Sequence, residues 1–332
     1  MRVQENIRAL AGVLLAVTII GATAPALAAT TTTTTGAGNG MQVSPLRTEL
    51  TINAGATVTT SVFVQNVTGQ NETLQSLVND FNAGGSENGT PQLLLNGEND
   101  KAHGLRQFVN ALPNVNLKPN EQKEIKVTIT IPSGTAAGGY YGAVRFAPAG
   151  VIGGQNVNLA ASVGSLILVR VPGNIKEEVK ISSLDVRRGS SPRIIFTTGK
   201  SLSAMVRFEN KGNIQEAPFG KIQLRKGNKT IDTKEINTGD QRGNVLPDSF
   251  RQFTVPLSNV GSFGKYTVQG NFGYGTNGGQ LLTAKTTFYV IPVAAIAATV
   301  GVVILILLAI FVLPRMIRAY NKKVVRQASR RR

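Results

Sequence analysis

The feature that most narrows what this chain can become is a run of 23 residues without a charge, residues 291–313, followed at once by a cluster of cations. As a helix rising 1.5 Å per residue it extends about 34 Å, enough for the ~30 Å hydrocarbon core of a bilayer. It is apolar on every face, unlike a helix that covers one side of a soluble domain. Arg315, Arg318, Lys322, Lys323, Arg326, Arg330, Arg331 and Arg332 come next, with no acid among them. Such cations stay on the cytoplasmic side of a spanning helix, where anionic headgroups can pair with them. The expected topology is a single-pass transmembrane helix at 291–313, a basic cytoplasmic tail at 314–332, and a large extracellular part before them.

At the other end Arg2 and Arg8 flank the start of an apolar stretch at 9–20, which leads to the small-residue site Ala26-Leu27-Ala28. These are the three parts of a secretory signal peptide, expected over residues 1–28 with cleavage after Ala28. Residues 30–40 are a low-complexity Thr- and Gly-rich stretch without the apolar residues needed to pack, and 29–41 are expected to form a flexible leader. The formal net charge of +17 is concentrated in the tail: setting aside its cations together with Arg2, Arg8 and Glu5 leaves 25 basic and 17 acidic residues. That balance is no nucleic-acid footprint, and the tail reads as a stop-transfer anchor. Cysteine is absent, which excludes disulfides, thiolate nucleophiles and cysteine-bound metals.

Between the two hydrophobic ends the periodicity is that of strands. Alternating segments occupy residues 47–52, 57–65, 73–80, 123–131, 140–146 and 163–171, separated by turn signals such as Asn53-Ala54-Gly55, Lys118-Pro119-Asn120 and Gly138-Gly139. A second series occupies 178–186, 193–197, 202–210, 220–225, 230–236, 250–257, 265–274 and 281–290. Regular short strands with such punctuation indicate sandwiches, so the expected fold is all-β: two tandem immunoglobulin-like β-sandwich domains, at 42–173 and 174–290, plus the C-terminal transmembrane α-helix.

The two series share landmarks. Val64-Gln65-Asn66, Leu117-Lys118-Pro119 and Gly139-Tyr140-Tyr141 in the first answer to Phe208-Glu209-Asn210, Val245-Leu246-Pro247 and Gly264-Lys265-Tyr266 in the second. Spacing between the last two landmarks differs by a few residues, which loops absorb. Tyr141 and Tyr266 are paired by this reading as corner tyrosines, each expected to turn its ring inward and bond its hydroxyl to nearby backbone.

Val43-Ser44-Pro45 opening the first domain, Ala54-Gly55 before residues 57–66, and Phe208-Glu209-Asn210-Lys211-Gly212-Asn213 in the second give the chain a resemblance to the WxL-interacting protein family of Gram-positive surfaces. The order of segments matches over nearly the whole length. The resemblance implies a peptidoglycan-binding first domain, a second immunoglobulin-like domain, a transmembrane anchor and a basic tail. Ala54 stands where the family has proline, and no wall-contacting residue is carried over.

A search for chemistry finds little. The only histidine, His103, has no cysteine and no Gly-x-Ser-x-Gly elbow to work with, and is expected to be an exposed loop residue. Asn96, Glu98 and Asp100 alternate as oxygen ligands would, yet lack the bidentate Glu of an EF-hand loop, so neither a metal nor a cofactor is called for. Sequons stand at Asn66, Asn71, Asn88 and Asn228. Residues 81–109 form a long polar connection, the best candidate binding surface, with Asn99, Lys101 and Arg106 able to meet anionic or glycan groups. The expected function is therefore that of a non-enzymatic binding or adaptor protein whose partners are cell-wall polymer or surface proteins. A carboxylate-dependent wall hydrolase and a sensor or assembly subunit acting through the tail are the competing readings.

Overall fold

The structure, a computed structural model, describes residues 36–38, 40–95, 97–149 and 162–320. The signal segment 1–28, Asn96, and the tail from 321 onward lie outside the described residues.

The first sandwich packs a four-stranded sheet against a six-stranded one. Across the former run β1 (Gly36–Gly38), β2 (Met41–Ser44), β4 (Thr57–Asn66) and β8 (Gln122–Thr130). Across the latter run β3 (Arg47–Thr51), β10 (Val163–Val171), β9 (Gly138–Pro148), β5 (Glu72–Ala83) and β6 (Pro91–Leu93), with β7 (Val115–Leu117) paired to the start of β5. Because side chains alternate across a strand, one face of each sheet is apolar. Val62 and Val64 of β4 and Val127 and Ile129 of β8 thus meet Val144, Phe146, Ile167 and Val169 of the facing sheet in one core. The chain changes sheets at Pro45, so β2 is antiparallel to β4 whereas β3 is parallel to β10.

The second sandwich pairs β12 (Ser191–Pro192), β11 (Val179–Arg188), β14 (Ser203–Asn210) and β17 (Phe250–Pro256) with a five-stranded sheet. That sheet runs β13 (Ile195–Phe196), β19 (Gln280–Val290), β18 (Gly264–Tyr274), β15 (Phe219–Lys226), β16 (Lys229–Ile236). Its wiring repeats the first: β11, β14 and β17 stand where β2, β4 and β8 do, β19, β18 and β15 where β10, β9 and β5 do, and β13 is parallel to β19. Every alternating segment read from the sequence contains a strand, and the fold is all-β with one C-terminal apolar helix.

The sequence landmarks have a physical basis. Asn66, with no exposed surface, donates to the carbonyls of Gln70 (2.7 Å) and Lys118 (3.1 Å) and accepts from the Thr68 N–H. Asn210, equally buried, donates to the carbonyls of Ile214 (2.7 Å) and Val245 (2.8 Å) and accepts from the Gly212 N–H. Each amide closes the turn after its strand, β4 or β14, and ties it to the proline-bearing segment before β8 or β17. Being engaged this way, Asn66 has no side-chain nitrogen to offer a glycan.

Three expectations change. Residues 36–38 and Met41, assigned to a flexible leader, instead form β1 and open β2, because Gly36–Gly38 pairs through backbone alone and Met41 enters the core at 2% exposure. The tyrosine equivalence is off by one. Tyr140 sits on the core face and donates to Ala136 O (2.9 Å), as Tyr266 does to Phe263 O (3.3 Å), whereas Tyr141 points to the opposite face of its sheet. Finally, α1 (Val293–Phe311) begins two residues into the apolar run, since Ile291 is still hydrogen-bonded to Phe196 and Pro292 is extended. Helical structure continues to Tyr320, no part of the segment is buried, and it is long and apolar enough to cross a membrane. Within Val293–Phe311 the single hydroxyl, on Thr299, donates back to Ala295 O.

Candidate binding site

The connection at 81–109 is two structures with two tasks. Its first part is an arm. β5 continues past its last pairing with β9 at Asp80–Gly142 and turns back as β6, with Phe81 opposite Leu93 and Ala83 opposite Pro91. The arm covers the outer face of the six-stranded sheet, where Phe81, Tyr141, Ala143 and Leu168 form a small separate core that also takes in Leu246 of the second sandwich.

At the tip of the arm Glu87, held at φ 55°, reaches across to the second sandwich. Arg207 grips its carboxylate with both Nε (2.6 Å) and Nη2 (2.5 Å), Gln252 donates its side-chain amide (2.7 Å), and the Gln252 N–H donates to Glu87 O (2.7 Å). The guanidinium in turn lies 3.6 Å from the centre of the Phe250 ring. Hydrogen bonding from Arg207 holds the Glu87 carboxyl below the usual range, as a charge-assisted bidentate pair should. Arg47 donates to Arg242 O (2.8 Å), and the Asn244 side-chain amide donates to Glu49 (3.0 Å), so the contact extends beyond the tip.

Tyr141, the residue misassigned from sequence, belongs to the same seam. Its hydroxyl donates to Gln215 Oε1 (3.0 Å), two residues from Asn213, whose carbonyl accepts the Gly139 N–H (2.8 Å). Burial raises the Tyr141 hydroxyl well above the ordinary phenol range, which suits a structural donor. On the far side of the seam Arg170 pairs with Glu177 (3.6 Å), whose carboxylate also accepts from the Thr276 backbone and hydroxyl. Beside them Glu216, 5% exposed, accepts from the Gly275 N–H (2.9 Å), and burial pushes its carboxyl up to about 7.

The second part, residues 97–109, folds around a buried carboxylate. Asp80, 2% exposed, accepts the backbone N–H of Arg106 (2.7 Å) and of Asp100 (3.2 Å). Gly104 lies against it so closely that a Cβ would overlap both the Asp80 carboxylate and the Asp100 carbonyl. Asp100 Oδ1 accepts from the N–H groups of Ala102 and His103, which tightens the turn. Leu105 then plugs into the main core, and the Phe108 ring meets Tyr140 edge-on at 5.4 Å.

His103 is not the exposed loop residue expected. It is half-buried, and its Nδ1 lies 2.8 Å from Gly139 O, which requires the proton on that nitrogen. Its backbone carbonyl accepts the Tyr141 N–H (2.7 Å), and Leu105 N–H donates to Tyr141 O (3.2 Å). Residues 103–105 thus take the place beside β9 that β5 vacates at Asp80.

Asn99, Lys101 and Arg106, singled out from sequence, come together here. All three are exposed and line one open depression of about 510 Å³ with Asp80, Asp100 and Gln107. The cleft at the interdomain seam, lined by Phe81, Glu87, Leu166 and Leu246 among others, has about 70 Å³. Only the former falls in the size class of sites that hold a sugar or other small ligand. Sequence reasoning missed Asp80, whose carboxylate organises the site; an acid at the end of an alternating run reads as an ordinary strand edge. Glu98 is exposed, and Asn96 lies outside the described residues. Among the described residues no cluster of three metal-ligating side chains occurs.

No family model matches the sequence, and no curated protein matches it. Solved structures align with it at low identity. A chaperone–tip adhesin complex of CFA/I fimbriae matches at TM-score 0.36 and 14% identity, over 76% of this chain and 99% of that one. The class 5 fimbrial chaperone CfaA matches at 0.34 and 16%, over 76% and 99%. The CsuC–CsuE chaperone–tip adhesion subunit complex of Acinetobacter baumannii matches at 0.36 and 13%, over 74% and 97%. At such TM-scores the alignments carry no functional argument, and the immunoglobulin-like assignment rests on the sheets described above.

Proposed function

We propose that this chain is a non-enzymatic, membrane-anchored surface protein that binds cell-wall glycan through the first sandwich, with its second sandwich and α1 serving as stalk and anchor. The observation that carries the reading is the depression: two cations and an amide exposed on a turn that a buried carboxylate and a core leucine hold to a rigid sheet. Lys101 and Arg106 suit the carboxylates of a wall peptide, and Asn99 can both donate to and accept from sugar hydroxyl and acetamido groups. The order of segments supports the same reading through its resemblance to the WxL-interacting protein family, which places the peptidoglycan-binding domain first.

The test is retention of the full chain, in detergent, on insoluble peptidoglycan. Wild type is expected to be retained, and the triple variant Asn99→Ala, Lys101→Ala, Arg106→Ala to bind at least tenfold more weakly, since polar contacts worth together about 1.4 kcal/mol or more are lost. Failure of the wild type to bind would overturn wall binding and direct the search to protein partners. Deleting 81–109 is the wrong variant, because it would also remove the arm. The hydrolase reading gains no site here: Glu177 and Glu216 differ in proton affinity as an acid and base pair would, but both carboxylates are tied to backbone and neither lines the depression.

A further inference from the structure

β19 ends at Val290 and α1 begins at Val293, so this end of the second sandwich lies within about 10 Å of the first helical turn. Strand register brings three connections to the same end. Gly264 opposite Val290 places the β17–β18 connection there, and Arg225 opposite Thr267 places the β15–β16 turn beside it, with Lys226 Nζ donating to Phe263 O at 3.2 Å. Ile195 opposite Tyr289 adds the β11–β14 connection, and the N–H groups of Tyr289 and Ile291 donate to Ile194 O and Phe196 O, both at 2.8 Å.

These connections and the end of β19 expose apolar side chains that the core does not use: Ile194 is 66% exposed, Ile195 57%, Phe263 63% and Tyr289 38%. Singly they would need no explanation, but four gathered at one end of a sandwich do. The same end is uniformly cationic. Residues 186–203, 224–231 and 257–266 contain no acid, and among their cations are Arg188, Arg193, Lys200, Lys226, Lys229 and Lys265. The nearest acids, Asp185 and Asp232, are held in ion pairs by Arg187 (2.5 Å) and Lys234 (3.5 Å). Unpaired acids of this domain keep to the opposite end, such as Asp240 and Asp248 in the connection after β16.

We propose that the helix-proximal end of the second sandwich is itself a membrane-binding surface. Ile194, Ile195, Phe263 and Tyr289 enter the interfacial layer of the bilayer, and the surrounding Lys and Arg side chains contact anionic phospholipid headgroups. The inference rests on the reading of α1 as a spanning anchor. Its occupant is fixed by continuity, since no linker separates this surface from the helix, and by charge complementarity. The sandwich then stands on the bilayer instead of swinging from it, and the arm passes that fixed orientation to the first sandwich and its depression.

Because the chain has no cysteine, single-cysteine nitroxide labels report each position cleanly. Ile194→Cys, Phe263→Cys, Leu281→Cys and Ile306→Cys variants of the full chain are reconstituted in phosphatidylglycerol vesicles and in phosphatidylcholine vesicles. Collision with oxygen and with a water-soluble nickel chelate is measured at each label. In phosphatidylglycerol, nickel access at 194 and 263 is expected to fall by about threefold relative to 281, which is 83% exposed at the far end of the domain. Adding Lys226→Glu, Lys229→Glu and Lys265→Glu is expected to return the 263 label to its phosphatidylcholine value. Labels at 194 and 263 as water-accessible as 281, with 306 buried in hydrocarbon, would overturn this inference alone, as they would if a protein covers the face. A water-accessible label at 306 would overturn the anchor reading and this one with it.

Discussion

The two sandwiches share the order of their main strands, and the connection after β5 is unlike the one after β15. After β15 the second sandwich turns at once, adds β16 to its sheet edge and proceeds to β17. After β5 the first sandwich leaves the sheet and builds the arm that holds its neighbour and the depression around Asp80. The arm lies outside both main cores, which bury the same alternating faces, whereas the turn around Asp80 enters the first core through Leu105. A rigid pair of sheets can carry such a long connection on its surface, and residues 103–105 in return pair with β9 where β5 leaves it.

The largest expected effects fall on what the sandwiches share. Asn66→Ala and Asn210→Ala each strip two carbonyls of their donor and one N–H of its acceptor at a fully buried position. Each is expected to cost about 3 kcal/mol, because buried groups left unpaired carry their full desolvation penalty. Thermal unfolding of the detergent-solubilised chain measures the loss, and hydrogen exchange tells which sandwich has opened. A large loss in one and none in the other would break the equivalence.

Next comes the seam, where two acids respond to pH in opposite senses. Burial raises the Glu216 carboxyl from 4.5 to about 7, so the folded state holds its proton more tightly than the unfolded chain does. Its contribution is complete below pH 4.5 and is lost as pH rises through 7, by up to about 3 kcal/mol. Glu87, lowered chiefly by its hydrogen bonds from Arg207, contributes above its unfolded value and loses that contribution on acidification. Glu216→Gln is expected to flatten the fall in stability between pH 5 and 8 by about 2 kcal/mol, since an amide stays neutral throughout. An unchanged slope in that variant would remove Glu216 from the account.

A smaller effect follows from cutting the arm at its tip. Glu87→Ala or Arg207→Ala is expected to weaken the contact between the sandwiches by about 2 kcal/mol, with a coupling in the double variant that identifies the pair. Faster proteolysis in residues 84–90 and a broader small-angle scattering profile would report the release. If the sandwiches stay locked in both variants, Tyr141–Gln215 and the backbone bond from Gly139 hold the seam without the arm.

The alternating runs were legible because a sheet with one apolar face writes a period of two into the sequence, and the Asn landmarks because each closes a turn by itself. Asn99, Lys101 and Arg106 were legible as a polar stretch between apolar ones. The arm was not. Glu87 and its partner Arg207 are 120 positions apart, and such a pairing leaves no local period or spacing to read. Asp80 was hidden for the same reason, since its ligands are backbone groups of a turn that exists only once the loop has closed.

The smallest effect bears on the one landmark read in the wrong register. In a strand a shift of one residue sends a side chain to the other face, so Tyr140 and Tyr141 are structurally unlike despite being neighbours. If Tyr140 is the true counterpart of Tyr266, then Tyr140→Phe and Tyr266→Phe should each cost about 1 kcal/mol within their own sandwich, through loss of the bonds to Ala136 O and Phe263 O. Tyr141→Phe should leave the first sandwich's own stability nearly unchanged and instead loosen its contact with Gln215. Hydrogen exchange separates the outcomes, because Tyr141→Phe would raise exchange at Gly139 and Gln215 and spare β4 and β8. Raised exchange in β4 and β8 for Tyr141→Phe, and not for Tyr140→Phe, would restore the equivalence first read from the sequence.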